Sequence, residues 1–352
     1  MALDAVFLDR LNQVSDSLFQ TLEKFSQARV LVAGDLTLDE FLVGQVERMS
    51  REAPVLILRH EATRQIPGGG ANSVYNFAKL GAQVKVAGFL GKDQQGEALR
   101  KIFIEAGIDT EGILLEAQRP TVTKTRISGH ARQSVTQQIV RVDRKSDDLP
   151  ELELQLQLAD YIAQQLSTVD AVICSDYGDG VLTAPVIEAV LKHERVIVDT
   201  QKDLPRFQSV TLFTPNIPEA EKAVGYPITD DQSLYCAAQD LIQLTNATAI
   251  LITQGDEGMT LFERQVPEQS ESDLNLIAQQ IPAFNRTDVF DVTGAGDTVV
   301  AALTLGLCVG ASMWESAILG NLAASLVVRQ FGTATTTVEE MAETLRLLLE
   351  DG

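Results

Sequence analysis

Cysteine is scarce in this chain: Cys174, Cys236 and Cys308 are its only three among 352 residues. They lie far apart, are odd in number and show no metal-ligand spacing, which excludes a disulfide framework and a cysteine-bound metal. Cys174 and Cys308 fall in apolar runs and read as reduced core residues. Positive charge is also in short supply. Lys and Arg number 28 against 49 Asp and Glu, for a formal net charge of -21. That balance argues against non-specific binding to nucleic acid or to an anionic membrane, yet a local basic pocket inside an acidic surface still admits an anionic substrate. No apolar run reaches membrane-spanning length. The first twenty residues scatter acids and carry no basic leader segment, so a signal peptide is not expected. These absences lead to the expectation of a soluble, cytoplasmic protein. No G-x-x-x-x-G-K-[ST] phosphate loop is present and no glycine fingerprint for a dinucleotide, so a nicotinamide-dependent dehydrogenase finds no support. There is no internal repeat and no low-complexity segment.

What is present is globular: 45% apolar and 22% charged. The length suits one large or two ordinary domains. Val6, Leu8, Leu11, Val14, Leu18, Leu22 and Phe25 recur at helical spacing, predicting an amphipathic helix over 5–26 within an N-terminal extension of residues 1–28. From residue 29 to 352, apolar runs of strand length alternate with helical patterns. This rhythm predicts an α/β fold, a doubly wound, mostly parallel sheet flanked by helices. Two stretches break it. Residues 40–60 read as short strands at 43–46 and 55–58. Residues 121–127 and 137–143 alternate with period two and are joined around 129–134. Together they predict a small sheet set apart from the main one, with Lys124 and Arg126 on one face, and Arg141 with Asp143 likewise. Residues 264–275 read as a polar surface loop.

The chemistry concentrates at Asp291-Val292-Thr293-Gly294-Ala295-Gly296-Asp297-Thr298, ahead of an apolar helix. Small residues let the backbone turn and aim N–H groups at one spot, and the helix start adds its positive end. An acid beside an anion cradle is what phosphoryl transfer needs: a hole for charge and an acceptor for a hydroxyl proton. A plain strand–turn–helix connection, with Asp297 satisfying the dipole, explains the same residues. Gly68-Gly69-Gly70-Ala71-Asn72 opens a second helix where something must approach the backbone closely; a flexible loop is the alternative. Asp35 and Asp39 follow the first parallel strand, where such sheets place functional groups; turn chemistry for Asp35 and a solvated Asp39 are the alternatives. Glu219 suits the first turn of its helix in any case.

Taken together, the motifs resemble those of the ribokinase-like (PfkB) sugar kinases. Asp291-x-Thr-Gly-Ala-Gly-Asp297, Gly68-Gly69-x-x-Asn72, Ser175-Asp176-Tyr177, Asn216-x-x-Glu219 and Thr253-x-Gly255 occur in that family's order, over about residues 29–345. The subgroup they are most similar to is the heptose 7-phosphate kinase domain of the ADP-heptose pathway, through Gly34-Asp35-x-x-x-Asp39, Ser50-x-Glu52-Ala53-Pro54-Val55, Thr121-x-Thr123-Lys124-x-Arg126 and Ile139-x-Arg141-x-Asp143. The resemblance implies a ribokinase-like domain with a small β-sheet lid from about 40–60 and 121–143, which shields the site from water and in relatives often joins two subunits. It implies Asp297 as the catalytic base and the N–H groups of Gly294, Ala295 and Gly296 as the anion hole. At a helix N-terminus this base is expected to be weak. Asp39, Gly68, Gly69, Asn72, Lys124, Arg126, Arg141 and Asp176 are implied for the sugar or sugar phosphate. Asn216, Glu219, Thr253, Gly255, Gly258 and Asn321 are implied for ATP, with Asn216 and Glu219 ordering Mg²⁺. Asp291, Thr293 and the Gly332-Thr333 loop are implied around a monovalent cation such as K⁺. A homodimer through the lid follows from the same resemblance.

The chain departs from the subgroup in two places. Asp179 stands where a lysine is expected, and Asp199-Thr200-Gln201-Lys202 carries its lysine one position late. The sequence ends at Gly352, before the nucleotidyltransferase domain that often follows this kinase. Another sugar or a nucleoside as acceptor, or a binding protein that has lost turnover, are the remaining alternatives.

Overall fold

The computed structural model describes residues 4–131, 135–265, 275–285, 289, 291–330 and 332–350. The polar stretch at 264–275 and the join at 129–134 lie partly outside them. In the first half, α1 (Ala5–Glu23) precedes β1 (Arg29–Gly34), β2 (Leu36–Met49), β3 (Leu56–Gly69), α2 (Gly70–Lys79), β4 (Gln83–Gly91), α3 (Gln94–Glu105), β5 (Asp109–Glu116), β6 (Val122–His130) and β7 (Gln137–Arg144). The second half runs α4 (Leu152–Gln165), β8 (Ala171–Asp176), α5 (Ala184–Val190), β9 (Val196–Thr200), β10 (Leu212–Phe213), α6 (Ile217–Val224), α7 (Asp231–Thr245), β11 (Ala249–Thr253), β12 (Met259–Arg264) and β13 (Leu276–Ile281). Three helices close the chain: α8 (Ala295–Cys308), α9 (Met313–Val327) and α10 (Val338–Glu350).

Nine strands form one sheet in the order β13-β12-β11-β10-β9-β8-β1-β4-β5. Pairing is parallel from β5 through β11, and β12 and β13 add an antiparallel edge. Both faces are covered, and β1 shows why. Val30 and Val32 enter one apolar core with α1, α2, α8, α9 and α10; Leu31 and Ala33 enter the other with α4, α5 and α7. A strand buried on both sides reads as an unbroken apolar run. Strand order reverses between β1 and β8. The crevice outside their C-terminal ends is where open α/β sheets place ligands. There the side chains of Asp35 and Asp176 are buried.

The four-stranded second sheet has the order β3-β2-β6-β7 and stands over that crevice. Its first two strands are far longer than the short ones expected at 43–46 and 55–58: they pair continuously from Leu36 with Gly69 to Met49 with Leu56. Two register shifts, at Val43/Gly44 and Val46/Arg48, interrupt the alternation that sequence reading depends on. The sequence also gave no sign of β5 and β13, which are the two edges of the main sheet. Edge strands pair on one side only and tolerate polar residues, so Asp109, Glu111, Gln279 and Gln280 hid them. The N-terminal extension is no separate module: Phe7, Leu11, Leu18, Leu22 and Phe25 lie in the same core as α8 and α9.

Candidate active site

Asp297 sits in the first turn of α8 and is 4% exposed. The turn before it requires Gly294, whose φ is 80°. A Cβ there would lie 2.6 Å from the Asn72 amide nitrogen. That closeness lets Asn72, from the first turn of α2, donate to Asp297 Oδ2 at 2.7 Å. Tyr177, just past β8, donates its hydroxyl to Oδ1 at 3.1 Å. A second link locks the two helices: Thr298 donates to Asn76 at 3.0 Å, and Asn76 donates to the Asn72 carbonyl at 2.9 Å. Burial pushes the Asp297 carboxyl up to about 6, against the hydrogen bonds from Asn72 and Tyr177 and the charge of Lys124, which hold it down. The weak base expected at a helix start is thus corrected: loss of water outweighs the hydrogen bonds that favour the charged form. The Ala295 N–H is turned back to the Val292 carbonyl at 3.2 Å, whereas those of Gly296 and Asp297 have no acceptor among the described residues.

Asp39 lies on β2 and is buried beneath β6. Its Oδ1 is 2.8 Å from an Arg126 nitrogen, a contact of charges without hydrogen-bond alignment. A side chain at Gly68 would strike Asp39 at 2.7 Å, and one at Gly69 would strike Thr37 at 2.9 Å. Those glycines therefore let β3 close against β2; they do not open room for a ligand directly, as the sequence reading supposed. Lys124 Nζ lies 5.8 Å from the centre of the Tyr177 ring. Arg141 is half-exposed on the lid and pairs with Asp143 at 2.8 Å.

Asp35 and Asp176 turn out to be braces. Asp35 accepts from the backbone N–H groups of Tyr177, Asp179 and Val181 at 2.8, 2.9 and 3.0 Å, and burial pushes it up to about 6. Asp176 accepts from Arg206 at 2.5 Å, Thr200 at 2.8 Å and the Gly178 N–H at 3.1 Å, which occupies the carboxylate expected to face substrate. The Asp179 carbonyl accepts from Arg119 at 2.6 Å. Arg119 also pairs with buried Glu116 at 3.5 Å. Sequence reading missed the roles of Arg119 and Arg206, which act across 60 and 30 positions and leave no local signal. Tyr177 lay inside a quoted motif, and only its reach to Asp297 reveals what its hydroxyl does.

Of the residues the resemblance implies for ATP, Asn216 and Glu219 form a reciprocal cap of α6: Glu219 N–H donates to Asn216 at 2.9 Å, and Asn216 N–H donates to the Glu219 carboxylate at 3.0 Å. Burial raises Glu219. Nearby Asp199 is raised well above its usual range by burial, then by the charges of Asp297, Glu219 and Asp176. Thr253 bridges to Asn216, and the side of Gly255 is open. Asn321 donates to the Pro282 carbonyl at 2.8 Å, and Gly258 packs against the Ile281 carbonyl, so both hold the end of β13. Asp291 accepts from the N–H groups of Thr293 at 2.9 Å and Gly332 at 3.0 Å, tying two loops together. Among the described residues, no three acids, histidines or cysteines converge closely enough to hold a metal ion. The two donors to Asp297 each line a cavity. Asn72 borders one of about 510 Å³ with Pro67 and Thr333, and Tyr177 one of about 170 Å³ under the lid. A larger cavity of about 780 Å³, lined by Lys202, Arg206, Lys222 and Glu219, shares Gln201 with the one under the lid.

The profile of the pfkB family carbohydrate kinases matches residues 28–341. The chain is 39% identical over 325 residues to "Bifunctional protein HldE" of Citrifermentans bemidjiense, a match covering 91% of this chain and 63% of that protein. It is 38% identical over 341 residues to the protein of the same name from Pelobacter propionicus, covering 95% and 67%. The chain thus spans about two thirds of the length of the curated relatives it matches. Among solved structures, Arabidopsis thaliana ribokinase complexed with ribose and ATP superimposes with a TM-score of 0.68 at 20% identity, covering 92% of this chain and 98% of that one. Phosphofructokinase-2 from Escherichia coli in complex with potassium gives 0.68 at 20%, covering 91% and 99%. The fold is ribokinase-like.

Proposed function

The chain belongs to the pfkB family of carbohydrate kinases, and on that premise we propose that it transfers the terminal phosphoryl group of ATP to a hydroxyl of a heptose 7-phosphate, giving the 1,7-bisphosphate. The observation that carries the reading is Asp297: a buried carboxylate at the start of α8, held by Asn72 and Tyr177 at 2.7 and 3.1 Å. The subgroup motifs and the matches to Bifunctional protein HldE support the heptose.

In this reading Asp297 takes the proton as the sugar oxygen bonds to phosphorus and ADP leaves with the electron pair of the broken P–O bond. A group titrating at about 6 is largely ionised at neutral pH yet basic enough to accept that proton. Tyr177 and Asn72 fix its orientation. The free N–H groups of Gly296 and Asp297 face the transferring phosphoryl group, whose equatorial oxygens gather charge. Asp39 and Asn72 hold sugar hydroxyls. ATP lies along Thr253, Gly255 and the first turn of α6. The charges of Asp297, Asp199 and Glu219 all reach Tyr177, an acidic surround that suits a hard divalent cation held through water and phosphate oxygens. Glu219, with Asn216 behind it, would hold Mg²⁺ through water and phosphate oxygens, and Mg²⁺ supplies charge neutralisation on the phosphates. The loops tied by Asp291 would hold K⁺ through their carbonyl oxygens.

Residues 29–352 form the kinase domain and 1–28 its helical extension. We assign the protein to the cytoplasm, where ATP is supplied, and to a dimer through its lid, where Met49, Leu56, Ile139, Val140 and Val142 are exposed. Sedimentation velocity tests the pairing: a dimer in the wild type and a monomer for Val142→Asp are expected, and a wild-type monomer refutes it. The function is tested by ADP release over heptose 7-phosphates, hexose phosphates, ribose and nucleosides, with the product assigned by ³¹P NMR. Turnover of none of them, despite ATP binding, overturns the enzyme reading; preference for another sugar overturns the heptose.

A further inference from the structure

We propose that the small cavity under the inner edge of the lid is the seat of a phosphate carried by the acceptor sugar, at the end away from its reacting hydroxyl, and that Lys124, Arg144 and Lys145 hold it. This rests on the reading of the chain as a sugar-phosphate kinase and names the subsite that makes it one.

The cavity has a volume of about 170 Å³, and Lys124, Arg144, Lys145, Tyr177, Asp179 and Gln201 form much of its wall. Whole-ligand pockets are roughly 300–1,000 Å³, so it suits one end of a substrate. Its position fits that use. Tyr177 lines the cavity and touches Asp297 with its hydroxyl, so the anion seat lies one side chain from the base. An acceptor that lays its reacting hydroxyl on Asp297 and runs past Tyr177 brings its far end here.

The charges select an anion. In a chain of net charge -21, three cations meet at this wall. Neither Lys124 nor Arg144 has a carboxylate within ion-pair distance among the described residues, and Lys145 is held loosely, 3.4 Å from Asp147 and 3.8 Å from Asp179. Asp143, also on the wall, is answered by Arg141 at 2.8 Å. Two neighbouring lid arginines are committed: Arg126 to Asp39 and Arg141 to Asp143. Three cations exceed what a single carboxylate requires and match a phosphate monoester of charge about -2. The pocket also accounts for a departure from the subgroup pattern. Asp179 replaces an expected lysine, and the cation comes instead from Lys145, at the end of the lid, which Asp179 keeps at the rim until phosphate displaces it.

The test compares the full-length wild type with Arg144→Gln and Lys145→Gln, and with Arg59→Gln as a lid control remote from the cavity. ADP release is measured with each sugar phosphate that turns over, its unphosphorylated counterpart and a sugar acid. For the sugar phosphate, each pocket variant is expected to raise KM about tenfold with kcat changed less than about threefold. The unphosphorylated sugar should show no such rise in KM, and Arg59→Gln should leave both sugars as they are. Equal effects on both sugars, or none, overturn the proposal, as does a KM rise that follows the sugar acid instead. If no sugar phosphate turns over, the kinase reading fails separately, and the pocket is judged by inorganic phosphate alone. A phosphate-dependent rise in Tm that both pocket variants reduce supports it; the same rise in the variants as in the wild type, or none in the wild type, overturns it.

Discussion

At the scale of single residues, Asp297 is where stability and chemistry pull apart. Its carboxyl titrates at about 6 when folded against 3.8 as a free group, so the folded state holds the proton more tightly than the unfolded state. Stability from this group is full below the unfolded value and is lost as pH rises through about 6; Asp35 adds a term of the same sign. Two pH units correspond to about 3 kcal/mol, as an order of magnitude. Asp297→Asn removes that cost and keeps both contacts, since an amide accepts from Asn72 and donates to the Tyr177 oxygen. It should cut kcat by about a thousandfold while raising Tm at pH 8. A thermal melt beside a kinetic assay decides it, and a variant that keeps its activity removes Asp297 from the base role. Tyr177→Phe takes away a donor that favours the charged form. The acid limb of its kcat/KM profile should move to higher pH, and an unmoved limb would detach Tyr177 from the base.

At the scale of elements, the loop after β8 shows how a catalytic side chain is fixed by groups far from it. Asp35 gathers three N–H groups of residues 177–181, and Arg119 takes the carbonyl of Asp179. Arg119 is nearly buried against Glu116, so Arg119→Met leaves a charge stranded and should cost about 3 kcal/mol. Arg119→Met should also lower kcat, because the Asp179 carbonyl loses its donor, and adding Glu116→Leu should restore most of the stability but not the kcat. A double variant that recovers both would reduce Arg119 to a stability role. None of this was visible in the local pattern. The strands ending at Asp35 and Asp176 were legible as apolar runs ahead of an acid. Which acid would face a substrate and which would hold a loop depends on partners brought in from elsewhere in the chain.

At the scale of the whole molecule, α1 closes the core against α9 and α10, and α9 in turn packs on α8, the helix that carries Asp297. Leu11 and Leu18 are fully buried there, and Phe7 stacks on Trp314 edge to face. Leu18→Ala should lower stability by about 2–5 kcal/mol. Denaturant unfolding should show one transition with a lowered midpoint; a separate early transition would make α1 an independent appendage. The acidic net charge repels itself across the compact state. Against that background the cationic wall beneath the lid stands out as a feature assembled from β6 and the end of β7.

By itself the sequence determined the parallel α/β architecture, the split-off lid sheet and the octapeptide around Asp297. Each is written in local terms: apolar periodicity, β-branched alternation, and small residues before a helix. The tertiary structure alone decided which groups meet that carboxylate, because Asn72 lies 225 positions away and Tyr177 120. It turned Asp35 and Asp176 from candidate ligands into braces. It also reversed the expected weakness of the base, since removal from water is a property of the packed molecule and outweighs the hydrogen bonds from Asn72 and Tyr177.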